Sequence, residues 1–241
     1  MNTALSSQVS RFDSLLSPAI GFADLSPCID IQNGITHRIY QRREGLFSAG
    51  DPFEGVYQLR SGSAKASICS VYGDEYVTEF YYPGDIIGID GFDTYQHSQN
   101  IRFLETSSVV CVKEADISQL LKSSDSFRRQ LLKAMSHSLA CEQKMLMDMT
   151  TCTSEQRVAL FLLKVSKRLN QRGYSADNFN LSMSRTDIAS YLGMAIETLS
   201  RTLTVFQHLG LIKVSNREVN IIDCIALQKK AESKPDHSFA S

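Results

Sequence analysis

The chain has 241 residues, 43% of them hydrophobic and 21% charged, with a formal net charge of −1. That is enough for two small domains with their own cores, and it excludes a chain disordered over most of its length. No run of 18 apolar residues occurs, which excludes an ordinary membrane-spanning helix.

Charge is unevenly placed. Residues 1–150 carry 13 Lys and Arg against 18 Asp and Glu, a balance of −5. Residues 151–220 carry 9 against 5, a balance of +4. A mildly acidic body joined to a basic segment suits a sensor attached to a polyanion-binding module, although so small a swing also arises by chance. No basic-then-apolar signal segment opens the sequence, so a cytoplasmic location is expected. Cys28, Cys69, Cys111, Cys141, Cys152 and Cys224 are scattered without a C-x-x-C pair, and disulfides are not expected. Met1–Ser10 and Lys229–Ser241 are polar and read as tails.

From His37 to about Lys113, turn signals arrive roughly every ten residues. They are Gly45, Gly50-Asp51-Pro52, Ser61-Gly62, Gly73-Asp74 and Pro83-Gly84-Asp85. Between them lie strand-like pieces at Gly55–Arg60, Ser67–Tyr72, Tyr76–Tyr82 and Ser107–Lys113. Short strands between regular turns predict an antiparallel sandwich or barrel. Ser124-Asp125-Ser126 then offers N-caps for a long helix. In that helix Leu132, Met135, Leu139, Leu146 and Met149 form an a/d seam whose missing position is Glu142. So narrow a seam suits helix-to-helix dimerisation; the alternative is a helix that packs on its own barrel. A second helix starts near Thr153, where Gln156 completes a capping box, and ends at Gln171-Arg172-Gly173.

The most informative stretch runs from Ser184 to Arg201. Ser184 and Asp187 cap a short helix with Ile188, Ala189 and Leu192 on its buried face. Gly193 can take the left-handed conformation that ends it. A second helix follows from about Ala195 to His208, with Ile196, Leu199, Leu203 and Phe206 as its apolar stripe. Two helices joined by a tight glycine turn make a helix-turn-helix. Glu197, Ser200 and Arg201 lie at i, i+3 and i+4, on one outward face of the first two turns. There Arg can grip guanine and Glu can accept from cytosine. The bland alternative is a Glu197–Arg201 ion pair on a solvated helix. Two alternating segments, Leu211–Ser215 and Glu218–Ile222, flank Asn216-Arg217 and predict a hairpin wing. Arg217 at its tip and Lys213 nearby are candidate phosphate contacts, and Arg185 and Thr198 complete the candidate DNA-binding set.

Barrel, long helix and winged helix in that order resemble the CRP/FNR family of bacterial regulators, over about residues 36–225. Glu197-x-x-Ser200-Arg201 matches the recognition signature of the FNR branch. Gln171-Arg172-Gly173-Tyr174-Ser175, Asp187-Ile188, Tyr191-Leu192-Gly193 and Leu104-Glu105-Thr106-Ser107 extend the match. The resemblance implies an α+β fold. An N-terminal segment (1–35) precedes a cupin-like, cyclic-nucleotide-binding-like β-roll (36–122). A dimerisation helix (123–150), a winged helix-turn-helix (151–228) and a tail (229–241) follow. It also implies a cytoplasmic homodimer acting on double-stranded DNA at a palindrome with TTGAT-like half-sites. In the FNR branch the turn matching Gly73-Asp74-Glu75 touches RNA polymerase. An acidic residue at the position of Glu142 there holds the dimer weak, because two carboxylates would meet near the two-fold axis. Alternatively the helix rotates and Glu142 reaches solvent, or pairs with Lys144, Arg128 or Lys133.

Two departures from the family bear on cofactors. The [4Fe-4S] cluster of the branch needs several N-terminal cysteines, and Cys28 stands alone there. The barrel cysteine position falls on Val110, and Cys111, one residue later, faces the other way on a strand. A cyclic AMP pocket needs an Arg-Ser pair where this chain has Ser98-Gln99, and Gly-Glu where it has Gly88-Ile89-Asp90. Arg102 would point elsewhere. Neither group is expected, nor any metal site. His37, His97 and His137 are conceivable haem ligands, but each reads better as an ordinary surface or core histidine; haem or an organic ligand stays open.

A regulatory subunit gating a partner enzyme would need no recognition face, so Glu197, Ser200 and Arg201 count against it. An enzyme finds no support: G-x-S-x-G, H-E-x-x-H and a phosphate-binding glycine loop are all missing.

Overall fold

The computed structural model describes residues 35–233. The N-terminal segment through residue 34, including Met1–Ser10 and Cys28, lies outside the described residues, as do residues 234–241. The chain divides into two compact units, the first ending at Cys141 and the second beginning at Glu142.

Among the described residues the first unit holds eight strands: β1 (Ile35–Tyr40), β2 (Gly45–Phe47), β3 (Gly55–Ser61), β4 (Ala64–Cys69), β5 (Glu75–Tyr81), β6 (Ile86–Ile87), β7 (Asn100–Phe103) and β8 (Ser107–Lys113). They form two four-stranded sheets, β1-β8-β3-β6 and β2-β7-β4-β5. All pairings are antiparallel. Alternate residues of each strand point inward, as the pleat requires. Tyr57 and Leu59, Ala64 and Ala66, Ile101 and Phe103, and Val109 and Cys111 therefore meet in one buried cluster between the sheets.

Strand β4 begins and ends three residues earlier than the sequence pattern suggests. Val71 and Tyr72 favour a strand by residue type, yet they stand in the turn, 94% and 90% exposed. Ser70 decides this: its Oγ accepts from the N–H of Tyr72 and of Asp74, each at 3.2 Å. The backbone of Ser70 also closes the turn on Gly73 and Asp74. Such local bonds compete with a ladder and win here.

The sequence reading also gives no helix between the last strand and Ser124. The structure has α1 (Glu114–Ser123) there. Glu114 and Asp116 in its first turn and Lys122 in its last complement its dipole. Ser124 is extended and separates it from α2 (Asp125–Thr151). Ile117 of α1, with Phe127 and Leu131 of α2, closes a second buried cluster with Phe53, Val56, Ile86 and Val112.

The second unit contains α3 (Ser154–Asn170), β9 (Asn178–Asn180), α4 (Arg185–Tyr191), α5 (Ile196–His208), β10 (Ile212–Ser215), β11 (Glu218–Ile221) and α6 (Cys224–Glu232). The capping box at Thr153 and Gln156 is formed. Strand β9, too short to leave a signal, pairs with β11 and makes the sheet three-stranded. The C-terminal tail read from Lys229 onward is corrected by α6, which runs to Glu232. Asp223 caps it, accepting from the N–H of Ala226 at 2.8 Å. Leu227 is fully buried, Ala231 is buried, and Lys230 pairs with Glu155 at 2.7 Å. Polar composition hid a helix whose burial depends on two residues. No helix among the described residues is long and apolar enough to cross a membrane.

Candidate nucleic-acid interface

The short helix α4 starts at the expected box: the N–H of Asp187 donates to Ser184 Oγ at 3.1 Å, and the N–H of Ser184 to Asp187 Oδ2 at 2.9 Å. Gly193 has φ +59°, the left-handed conformation that lets the chain turn at once into α5. Leu199, Leu203 and Phe206 bury the inner face of α5. Ile196 departs from the expected stripe. It is 40% exposed, and Thr202 is buried in the stripe instead. Ile196 is the first helical residue, so no preceding turn of α5 shields it.

The outer face carries Glu197, Ser200 and Arg201, all exposed, with Thr198 half-buried beside them. Among the described residues no ion pair joins Glu197 to Arg201.

The wing forms as expected. Ser215 pairs with Glu218 across a two-residue turn, and Asn216 has φ +58°. Lys213 and Arg217 are exposed. Arg217 Nη1 donates to the Ser182 carbonyl at 3.1 Å, and Arg185 Nη2 to the Asn216 carbonyl at 3.5 Å. Both arginines tie the wing tip to the start of α4, a role that spacing alone does not reveal. Burial pulls the Arg185 pKa below its ordinary value.

Along α2, Leu132 (61%), Met135 (40%), Leu139 (57%), Leu146 (66%) and Met149 (38%) are exposed, and so is Glu142. The buried residues of this helix are different ones, Phe127 and Leu131, which pack in the second cluster of the roll. At the β4–β5 turn, Gly73 and Asp74 are exposed, while Glu75 pairs with Lys65 at 3.0 Å.

Residues 156–230 match the Crp-like helix-turn-helix domain family, and residues 37–124 match the cyclic nucleotide-binding domain family. The transcriptional activator Anr of Pseudomonas protegens is 40% identical over 190 residues, 79% of this chain and 78% of that protein. The chain belongs to the CRP/FNR family of transcription regulators. Another relative, the fumarate and nitrate reduction regulatory protein of Vibrio cholerae, is 34% identical over 79% of this chain and 76% of its own. The solved structure of FixK2 from Bradyrhizobium japonicum superposes with a TM-score of 0.75 at 25% identity, covering 83% of this chain and 99% of that one. The family is one of regulators, not of enzymes.

The match to the cyclic nucleotide-binding domain family raises the question of what surrounds the residues aligned with a cyclic AMP pocket. Ser98, at the place of the phosphate-binding arginine, donates through its N–H and hydroxyl to Asp90 Oδ2, at 2.8 and 3.2 Å. By the resemblance, a cyclic phosphate would find the Ser98 hydroxyl in place of a guanidinium, without its bidentate, charge-assisted contact. Burial works to raise the Asp90 pKa, but bonds from His97 and Ser98 hold it below the usual carboxylate range. Of the conceivable haem ligands, His97 is buried, its ring stacked on Phe47 with centroids 3.4 Å apart and its Nδ1 3.3 Å from Asp90 Oδ1. His37 is exposed, and His137 Nε2 lies 3.5 Å from Cys141 Sγ. On β8, Val109 and Cys111 share the roll interior, and Val110 sits on the opposite face.

Proposed function

We propose that this regulator acts in the cytoplasm as a homodimer. Each protomer places α5 in the major groove of one TTGAT-like half-site of a palindrome, and the Gly73-Asp74-Glu75 turn meets RNA polymerase. The observation that carries this reading is the outward face of α5, with Glu197, Ser200 and Arg201 exposed and not ion-paired to one another. Arg201 supplies a bidentate grip on guanine, Glu197 accepts from cytosine, and Lys213 and Arg217 meet phosphates. Two half-sites need two copies of α5, which the exposed seam of α2 supports. Glu75 is tied to Lys65, so Asp74 is the free acid of the turn. The roll takes neither cyclic AMP nor a [4Fe-4S] cluster. Ser98-Gln99 offers no arginine to the first, and four thiolates cannot be gathered for the second.

Arg201→Ala is expected to cost about 1–3 kcal/mol on a duplex with two inverted TTGAT half-sites, and to relax preference at one base pair. Lys213→Ala is expected to weaken all duplexes equally and to flatten the salt dependence. Fluorescence anisotropy at several salt concentrations measures both. Unchanged affinity and specificity in Arg201→Ala would remove α5 as the reader.

The seam yields a second expectation. Glu142 takes the place of an apolar knob, and in a parallel two-fold dimer it faces its own copy. Glu142→Leu is expected to tighten the dimer by on the order of 1 kcal/mol, about five-fold. Sedimentation equilibrium of the two proteins checks this; equal dimer constants would make Glu142 an ordinary surface residue.

A further inference from the structure

We propose that Arg157 and Met149 form a latch that aims the recognition helix, so that the last turn of α2 helps set where α5 points. This rests on the base-reading role of α5 given above.

The last carbonyls of a helix have no partner within it. At the end of α4, Arg157 Nη1 supplies one, donating to the Leu192 carbonyl at 2.5 Å and the Gly193 carbonyl at 3.3 Å. A cation there also complements the helix dipole. The other side of the same guanidinium is less well served: Nε is buried without a hydrogen-bond partner among the described residues. Burying an arginine this way carries a desolvation cost, which the two carbonyl bonds offset.

The grip extends along one face of α3. Phe161 and Lys164 follow Arg157 at i+4 and i+7. Lys164 Nζ donates to the Tyr191 hydroxyl at 2.9 Å and lies 5.6 Å from the centre of that ring. The Phe161 and Tyr191 rings are 6.0 Å apart. The final turn of α4 is thus fixed at three points.

Met149 reaches the same turn from α2. A Cβ at Gly193 would lie 3.5 Å from Met149 Cε and 3.5 Å from Arg157 Nη1. One seam residue therefore lies beside the turn that Arg157 clamps. Only Gly193, Met194 and Ala195 separate α4's cap from the first residue of α5. A displacement of the turn moves Glu197, Ser200 and Arg201 with it. Hydrogen bonds to base edges fail when displaced by about 1 Å, so small shifts at the turn are read as lost discrimination. Arg157 bonds to the turn and is a positioning residue, not a base reader.

The test compares full-length wild type, Arg157→Met, Arg157→Lys, Met149→Ala and the Arg157→Met/Met149→Ala double variant. Each is titrated by anisotropy against a duplex with two inverted TTGAT half-sites and against a scrambled duplex. Stoichiometric titration fixes the active fraction, and sedimentation fixes the dimer constant. Arg157→Met is expected to lose about ten-fold in the ratio of the two affinities. Its affinity for the scrambled duplex and its salt dependence should stay at wild-type values. Arg157→Lys should recover part of the ratio. The double variant should lose less than the two single losses multiplied, as members of one latch do. A merely structural role would lower the active fraction and leave the ratio alone; that result overturns the latch. So does a wild-type ratio in Arg157→Met. Wild type that bound both duplexes equally would instead overturn the base-reading role, and this inference with it.

Discussion

Leu227→Ala is expected to remove about 2–5 kcal/mol from the stability of the DNA-binding unit. The side chain is fully buried, and it belongs to the helix whose end, from Lys229, polar composition disguises as a tail. Shortening it leaves a cavity and also weakens the hold of α6 on α3, where Lys230 meets Glu155. The Gln156 side chain donates to the Ser233 carbonyl at the end of α6, so the start of α3 and the end of α6 are joined twice. Calorimetry of wild type and variant measures the effect as a lowered transition for this unit. A loss below about 1 kcal/mol would mean that α6 is peripheral and that the domain ends near Ile221.

Gly55→Ala is expected to damage the first unit by on the order of 2–6 kcal/mol, from backbone strain and overpacking together. Gly55 opens β3, where φ is +149°, a conformation that side chains rarely adopt. An added Cβ would overlap the Val112 carbonyl oxygen on the neighbouring strand β8. That neighbour is backbone of a strand paired on both sides, with β1 and β3, and cannot step aside cheaply. Urea unfolding with tyrosine fluorescence as the probe reads the loss, because β3 and β8 hold the roll core. An unchanged midpoint would show that the β3–β8 pairing shifts freely at this point.

The elements legible in the sequence share one property, a signal that is local. Thr153 with Gln156 and Ser184 with Asp187 announce helix starts, because a cap is satisfied within four residues. Asn216-Arg217 between alternating segments announces the wing for the same reason. The recognition face was legible because Glu197, Ser200 and Arg201 fall on one side by helical spacing alone. Elements that lack such a signal were missed or misplaced. Strand β9 has three residues, α6 is polar except at a few contacts, and α1 lies where a short apolar run is ambiguous.

By itself, then, the sequence determined the order of roll, long helix and winged helix-turn-helix, the caps that start its helices, and the outward placing of Glu197, Ser200 and Arg201. Tertiary structure alone decided which side chains are engaged. Arg217 and Arg185 bond to backbone across the wing, Glu75 closes on Lys65, Asp90 gathers His97 and Ser98, and Ile196 stands outside the stripe. It also brought Arg157 and Met149 to one turn from two different helices. These are contacts between residues on different elements or across a turn, or choices between exposure and burial. No local propensity encodes them, because their free energy comes from partners that only the folded chain brings within reach.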